Sequence, residues 1–169
     1  RIHDVSYIGD IWEYKQIGLF GFVLPCIQYC NTNIVGSGWP IQLQEKFIDS
    51  VGCNVMWNLS KISISVQEPH VRRNSNGFKG GEISERVFSS ALAGCLVICD
   101  CPDAIRQVFG EEDSRWFPAL DQIDEFHDFI KFALSNPSDP YIIQCVENQQ
   151  KIVLAKHTYG VRIKKILQE

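Results

Sequence analysis

Short apolar segments that end on glycine, each followed by a helical stretch, recur along the first hundred residues and restrict the fold more than any other feature. Asp4-Val5-Ser6-Tyr7-Ile8-Gly9 reads as a buried strand, and an apolar, mostly helical stretch follows from Trp12 to about Leu24. Asn33 to Trp39 gives a second strand, closed by Gly36-Ser37-Gly38, and Pro40 suits the first turn of a helix through Leu43 and Phe47. Ser60 to Val66 alternates polar and β-branched residues, the clearest strand by period. A long loop from Gln67 to Gly81 carries Pro69, Gly77, Gly80 and Gly81; a helix from about Ser84 to Ala93 then stops at Gly94. Cys95 to Cys99 reads as a buried strand, and Ser114 to Pro118 as a candidate for another. Strands that alternate with helices imply an α/β, Rossmann-like parallel sheet with helices on both faces. Ligands of such sheets sit outside the carboxyl ends of the strands, here the loops after Gly9, Gly38, Val66 and Cys99.

The last third is helical. Ile123, Phe126, Phe129, Ile130, Ala133 and Leu134 share one helix face, Asn136-Pro137 breaks that helix, and two more run to about Lys156 and from Tyr159 to Leu167. The 169 residues fit one domain over positions 1–169. An apolar fraction of 45% with 21% charged residues is that of a globular chain. A net charge of −4 with no basic face argues against nucleic acid. No run of 18 apolar residues is present, so no membrane span is expected, and Ile17 to Cys26 reads as a buried helix. Seven scattered cysteines read as small buried hydrophobes in a reducing, cytoplasmic setting. Cys95, Cys99 and Cys101 lack paired spacing or a nearby histidine, so no metal is expected.

Lys79-Gly80-Gly81-Glu82-Ile83-Ser84 runs straight into the helix that holds Arg86. A glycine turn before a helix start exposes backbone N–H groups at the positive end of the helix dipole, a recipe for holding a phosphate. Arg86 on the first turn could add a charged donor. The same residues also read as a plain loop with Ser84 as N-cap and Arg86 in solvent. No strict glycine fingerprint decides between the two.

The stretch from Ser84 to Asp100 resembles the core signature of group 1 glycosyltransferases, in the branch of spore-maturation glycosyltransferase-like proteins. Asp4 to Gly9 resembles that family's first strand, Gly36-Ser37-Gly38-Trp39 its glycine turn, and Ser60-Lys61-Ile62 the strand before its donor loop. Lys156-His157-Thr158-Tyr159 with Arg162 resembles its His-Thr-Tyr-x-x-Arg ending. The resemblance implies the carboxyl-terminal half of a GT-B fold, which binds a nucleotide-diphosphate sugar as donor substrate for transfer without a metal or other cofactor. It implies donor binding by Gly9, His70, Gly80, Gly81, Glu82, Arg86 and Ser89, and it names no catalytic residue. Gly81 and Ser89 stand where many relatives carry the two glutamates of a spaced pair, the second of which grips ribose. That departure leaves a rival reading, a non-catalytic domain kept for protein or glycan interaction. The other half of a GT-B enzyme would precede Arg1, so an amino-terminal acceptor-binding domain is the expected partner. Little transfer is then expected from these residues alone.

Four further residues carry expectations. His157 reads as a fixing point of the helix junction and His127, among Asp124, Glu125 and Asp128, as solvated. Trp39 reads either as a base-stacking ring or as a core lid, and Glu111-Glu112-Asp113 as a solvated loop tip.

Overall fold

A computed structural model describes residues 1–11, 16–40, 49–67 and 83–168. The expected helix through Leu43 and Phe47, the start of the helix at Trp12, and the loop with His70, Gly80, Gly81 and Glu82 lie outside the described residues.

Among the described residues the strands β1 (His3–Ile8), β2 (Thr32–Val35), β3 (Ser60–Ser65) and β4 (Leu96–Cys99) form one sheet in the order β2-β1-β3-β4. Every pairing is parallel, with Tyr7 opposite Ile34, Val5 opposite Ile62 and Ile64 opposite Ile98. The side-chain period of two explains the composition of each strand. Val5, Tyr7, Ile62, Ile64, Leu96 and Ile98 share one apolar cluster, and Val97 and Cys99, on the alternate positions of β4, belong to another. Ser6 and Ser63 occupy the alternate positions of the central strands and are buried, and the Ser6 hydroxyl donates to the Ile62 carbonyl.

Helix α1 (Gln16–Phe22) and helix α5 (Ile123–Ser135) cover the first face. Phe22 meets Phe126 edge to face at 4.8 Å between ring centroids, and Ile130 and Ala133 extend the contact along α5. The expected apolar face of α5 is therefore the buried one, except that Ile123 is half exposed. Burial of each such side chain stabilises by about 1.5–3 kcal/mol. On the opposite face lie α2 (Ser50–Leu59), α3 (Glu85–Leu92) and α4 (Pro102–Ser114), with Val87, Phe88, Ala91, Ile105 and Phe109 in the second cluster. The fold is the expected α/β sheet with helices on both faces.

Helix α6 (Pro140–Lys156) runs along the outer edge of β4 and joins the two cores, with Ile142 and Cys145 in the first and Ile152 and Val153 in the second. Between them the fully buried Gln149 does the work of a neighbouring strand. Its Oε1 accepts the Val97 N–H at 2.9 Å, and its Nε2 donates to the carbonyls of Val97 at 3.0 Å and Trp116 at 2.8 Å. One residue pair further on, Cys99 N–H donates to the Pro118 carbonyl and Leu120 N–H to the Cys99 carbonyl, a single parallel bridge centred on Ala119. The last helix, α7 (Tyr159–Ile166), packs back toward α3.

Four expectations need correction. Ser114 to Pro118 is the end of α4 and a turn, and the strand-like contact falls at Ala119, because Phe117 N–H bonds back to Ser114. Glu111, Glu112 and Asp113 are helical, and Asp113 pairs with Lys156 at 2.5 Å. Ile17 to Cys26 is not buried throughout: Ile17 is exposed, and the segment becomes a short 3-10 turn at Leu24–Gln28. His127 is buried, not solvated, because its Nε2 reaches the Gly21 carbonyl at 2.7 Å and its Nδ1 the Tyr29 hydroxyl at 2.7 Å.

Candidate functional site

The chain leaves β1 toward β2 on one side and returns to β3 on the other, so the carboxyl ends of β1 and β3 are where the strand order reverses. Open parallel sheets bind ligands in the crevice at that reversal.

The β1 and β2 side of the crevice is knitted together by glycine. Gly9 N–H donates to the Val35 carbonyl at 2.7 Å, and the Gly9 carbonyl accepts the Trp39 indole N–H at 2.8 Å. Gly36 has φ of 143°, and a Cβ there would lie 2.1 Å from the Gly9 carbonyl oxygen, so only glycine lets the two loops meet. Asp10 accepts the Ser37 N–H at 2.6 Å. Trp39 is buried edge to face against Tyr7 at 5.6 Å, which makes it a core lid.

The β3 and β4 side is organised by Asp100, which is 1% exposed. Its Oδ1 accepts the Gln67 N–H at 2.9 Å and fixes the point where the chain departs from β3. Gly18 of α1 packs over this junction, close to Val66 and Asp100.

Helix α3 follows β3 and precedes β4, and the parallel pairing of those strands makes it a crossover helix. Its amino end therefore faces the carboxyl ends of the strands. Ser84 caps it, with Oγ accepting the Arg86 N–H at 3.4 Å, and Gly94 ends it at φ of 76°. Arg86 is half-buried, and its positive charge is felt at Cys53 of α2, where burial pushes the thiol up and Arg86 pulls it back. Ser89, one turn further, is also half-buried, and residues three apart on a helix are neighbours. No carboxylate pairs with Arg86 among the described residues.

The expected site residues thus divide. Gly9 lies at the end of β1 with both backbone groups bonded internally, Arg86 and Ser89 lie together on α3, and the remaining four fall outside the described residues. His157 ends α6, as its sequence position suggested, and stacks on Phe88 of α3 at 5.3 Å. Sequence reasoning missed the Asp100 to Gln67 bond and the contact of Tyr159 with Glu85. A lone aspartate closing an apolar strand was the available signal for the first; nothing local signalled the second. Among the described residues no three or more His, Cys, Asp or Glu side chains converge as metal ligands, and no helix is long and apolar enough to cross a membrane.

Comparison with known proteins gives three findings. The structure is similar to the C-terminal domain of a glycosyl transferase group 1 family protein (LpcC) from Francisella tularensis, with a TM-score of 0.62 and 14% identity, covering 93% of this chain and 87% of that one. A search of curated protein sequences finds no match. The profile of the family described as glycosyl transferase-like matches residues 21–168, from the last residues of α1 through α7, and the chain belongs to that glycosyltransferase family.

Proposed function

We propose that this domain binds the nucleotide-diphosphate sugar donor of a metal-independent glycosyl transfer, with the diphosphate at the amino end of α3. The observation that carries the reading is the crossover position of α3, which brings its capped first turn and Arg86 to the carboxyl edge of the sheet. Backbone N–H groups and the helix dipole favour an anion there, and Arg86 adds a charged donor that needs no metal. Gly80, Gly81, Glu82 and His70, which lie outside the described residues, are proposed as donor-binding residues together with Ser89 of α3 and Gly9 at the end of β1. The acceptor and a catalytic base come from an amino-terminal domain as partner, and a cytoplasmic setting suits seven free thiols. The motif spellings at Ser84 to Asp100 and His157 to Arg162 favour the spore-maturation branch.

Calorimetry with a panel of nucleoside diphosphates tests the reading. Binding is expected in the rough micromolar-to-millimolar range, because Ser89 cannot grip ribose as a glutamate would. Arg86→Ala should cost roughly 1.5–3 kcal/mol of it, the size of a hydrogen bond to a charged group. Affinity should be the same with and without a chelator. Ser89→Glu should improve binding where the ribose pocket is retained. If no diphosphate binds, the donor site is refuted, and the substitutions at Gly81 and Ser89 then favour a domain kept for protein or glycan interaction.

A further inference from the structure

The segment from His157 to Arg162 is a sequence motif that the donor site itself does not use. Its members act together to seat α7 on the first two turns of α3. The His157 ring stacks on Phe88 and meets Phe109 edge on at 4.9 Å. Thr158 starts α7, its hydroxyl accepting the Val161 N–H at 3.4 Å and its carbonyl the Arg162 N–H at 3.0 Å. The Arg162 guanidinium lies 4.5 Å from the centre of the Phe88 ring, and the Tyr159 hydroxyl donates to the Glu85 carboxylate.

Glu85 stands in the first turn of α3. A carboxylate there suits the helix dipole in the empty domain, but it repels a second anion brought to the same end. Bonded to Tyr159, it is drawn toward α7 and away from the end of α3. Arg162, three residues from Tyr159 on the same helix, places a positive charge beside the pair. We propose that Tyr159 and Arg162 are positioning residues of the donor site, acting through Glu85 and Phe88 to keep the amino end of α3 receptive to a diphosphate. This inference rests on the reading of α3 as the diphosphate site.

The test compares four proteins: the unaltered chain, Tyr159→Phe, Glu85→Gln and the double variant. Each is titrated calorimetrically with the same panel of UDP, GDP, ADP and CDP, and its thermal unfolding is recorded. Tyr159→Phe frees a carboxylate beside the anion and should weaken binding roughly threefold to tenfold, the scale of a charge at a helix end. Glu85→Gln should bind at least as well as the unaltered chain. The double variant should match Glu85→Gln, since no carboxylate is left to restrain. A purely structural tyrosine predicts instead a double variant as weak as Tyr159→Phe, and that result overturns the inference. So does a Tyr159→Phe protein that binds like the unaltered chain, while the donor-site reading survives. Failure of the unaltered chain to bind any of the four nucleotides overturns the donor site and this inference together.

Discussion

Gln149 offers the sharpest test of how the sheet is held at its β4 edge. Replacing it with leucine keeps the volume but removes every partner it supplies. Left behind are one buried N–H and one buried carbonyl, both on Val97, and the part-buried carbonyl of Trp116. Each abandoned buried group costs about 1–3 kcal/mol, and the carbonyls sit toward the lower end because a second lone pair can find partial compensation. The sum is about 3–5 kcal/mol, a large part of the ~5–15 kcal/mol that holds a domain folded. With a urea m-value of about 2 kcal/mol per molar, the unfolding midpoint should fall by roughly 2 M. Gln150→Leu is the matched control. It removes one bond, from Nε2 to the Leu92 carbonyl at 2.8 Å, on a part-buried side chain, and should cost only about 1 kcal/mol. Equilibrium unfolding followed by fluorescence and by far-ultraviolet dichroism would measure both. A Gln149→Leu midpoint within about 0.5 M of the unaltered chain would refute the claim that this side chain substitutes for a strand.

Three other outcomes follow from single contacts. Gly36→Ala should destabilise by about 3 kcal/mol or more, from a left-handed backbone and a Cβ placed on the Gly9 carbonyl; an unchanged melting temperature would contradict the loop contact. The bond from Lys61 holds the Asp4 carboxyl below its usual value, so its stabilising effect is present at neutral pH and disappears as pH falls below about 4. The stability gap between the unaltered chain and Asp4→Asn should therefore be small at pH 7 and shrink as pH falls below about 4, and a gap that widens on acidification would reverse the sign. Cys30 is half-buried, and its pKa is brought down to about 7 because the Cys26 thiol bonds to its thiolate, whereas burial pushes Cys95 up to about 11. Mass spectrometry after brief alkylation should find Cys30 modified ahead of Cys95, with a rate that climbs through pH 7.

The architecture was legible because its signals are periodic and local. Alternation in Ser60 to Val66, the glycine stops after β1 and β2, and the stripe on α5 each report burial through geometry that one segment contains. What was misread required knowing which face of a helix a polar residue occupies. His127 was judged by Asp124, Glu125 and Asp128, yet each helical step turns about 100°, so sequence neighbours point elsewhere, and the ring enters the core beside Phe126. Gln149 lies three and four residues before Ile152 and Val153 and four after Cys145, in register with the apolar stripe of α6. A polar side chain in that register has to be bonded once buried, and that was the readable clue. The partner of Tyr159 was not readable, since Glu85 is 74 residues away and nothing in either segment names the other.

The same contacts bear on where along the carboxyl edge a ligand is held. On the β1 and β2 side, the N–H and carbonyl of Gly9, the carboxylate of Asp10 and the indole of Trp39 are all committed to one another or to Val35 and Ser37. A ligand bound there would have to break bonds that close the loops, at about 0.5–1.5 kcal/mol net for each and more where a buried group is stranded. On the β3 and β4 side, Asp100 anchors Gln67, and the crossover helix α3 begins at its Ser84 cap. At that end the Arg86 and Val87 N–H groups bond back to Ser84, and the positive side chain of Arg86 stands on the first turn. The proposed function therefore assigns the diphosphate to α3, where the helix dipole and the Arg86 charge favour an anion, while Gly9 is taken up by the close packing of the β1 and β2 loops.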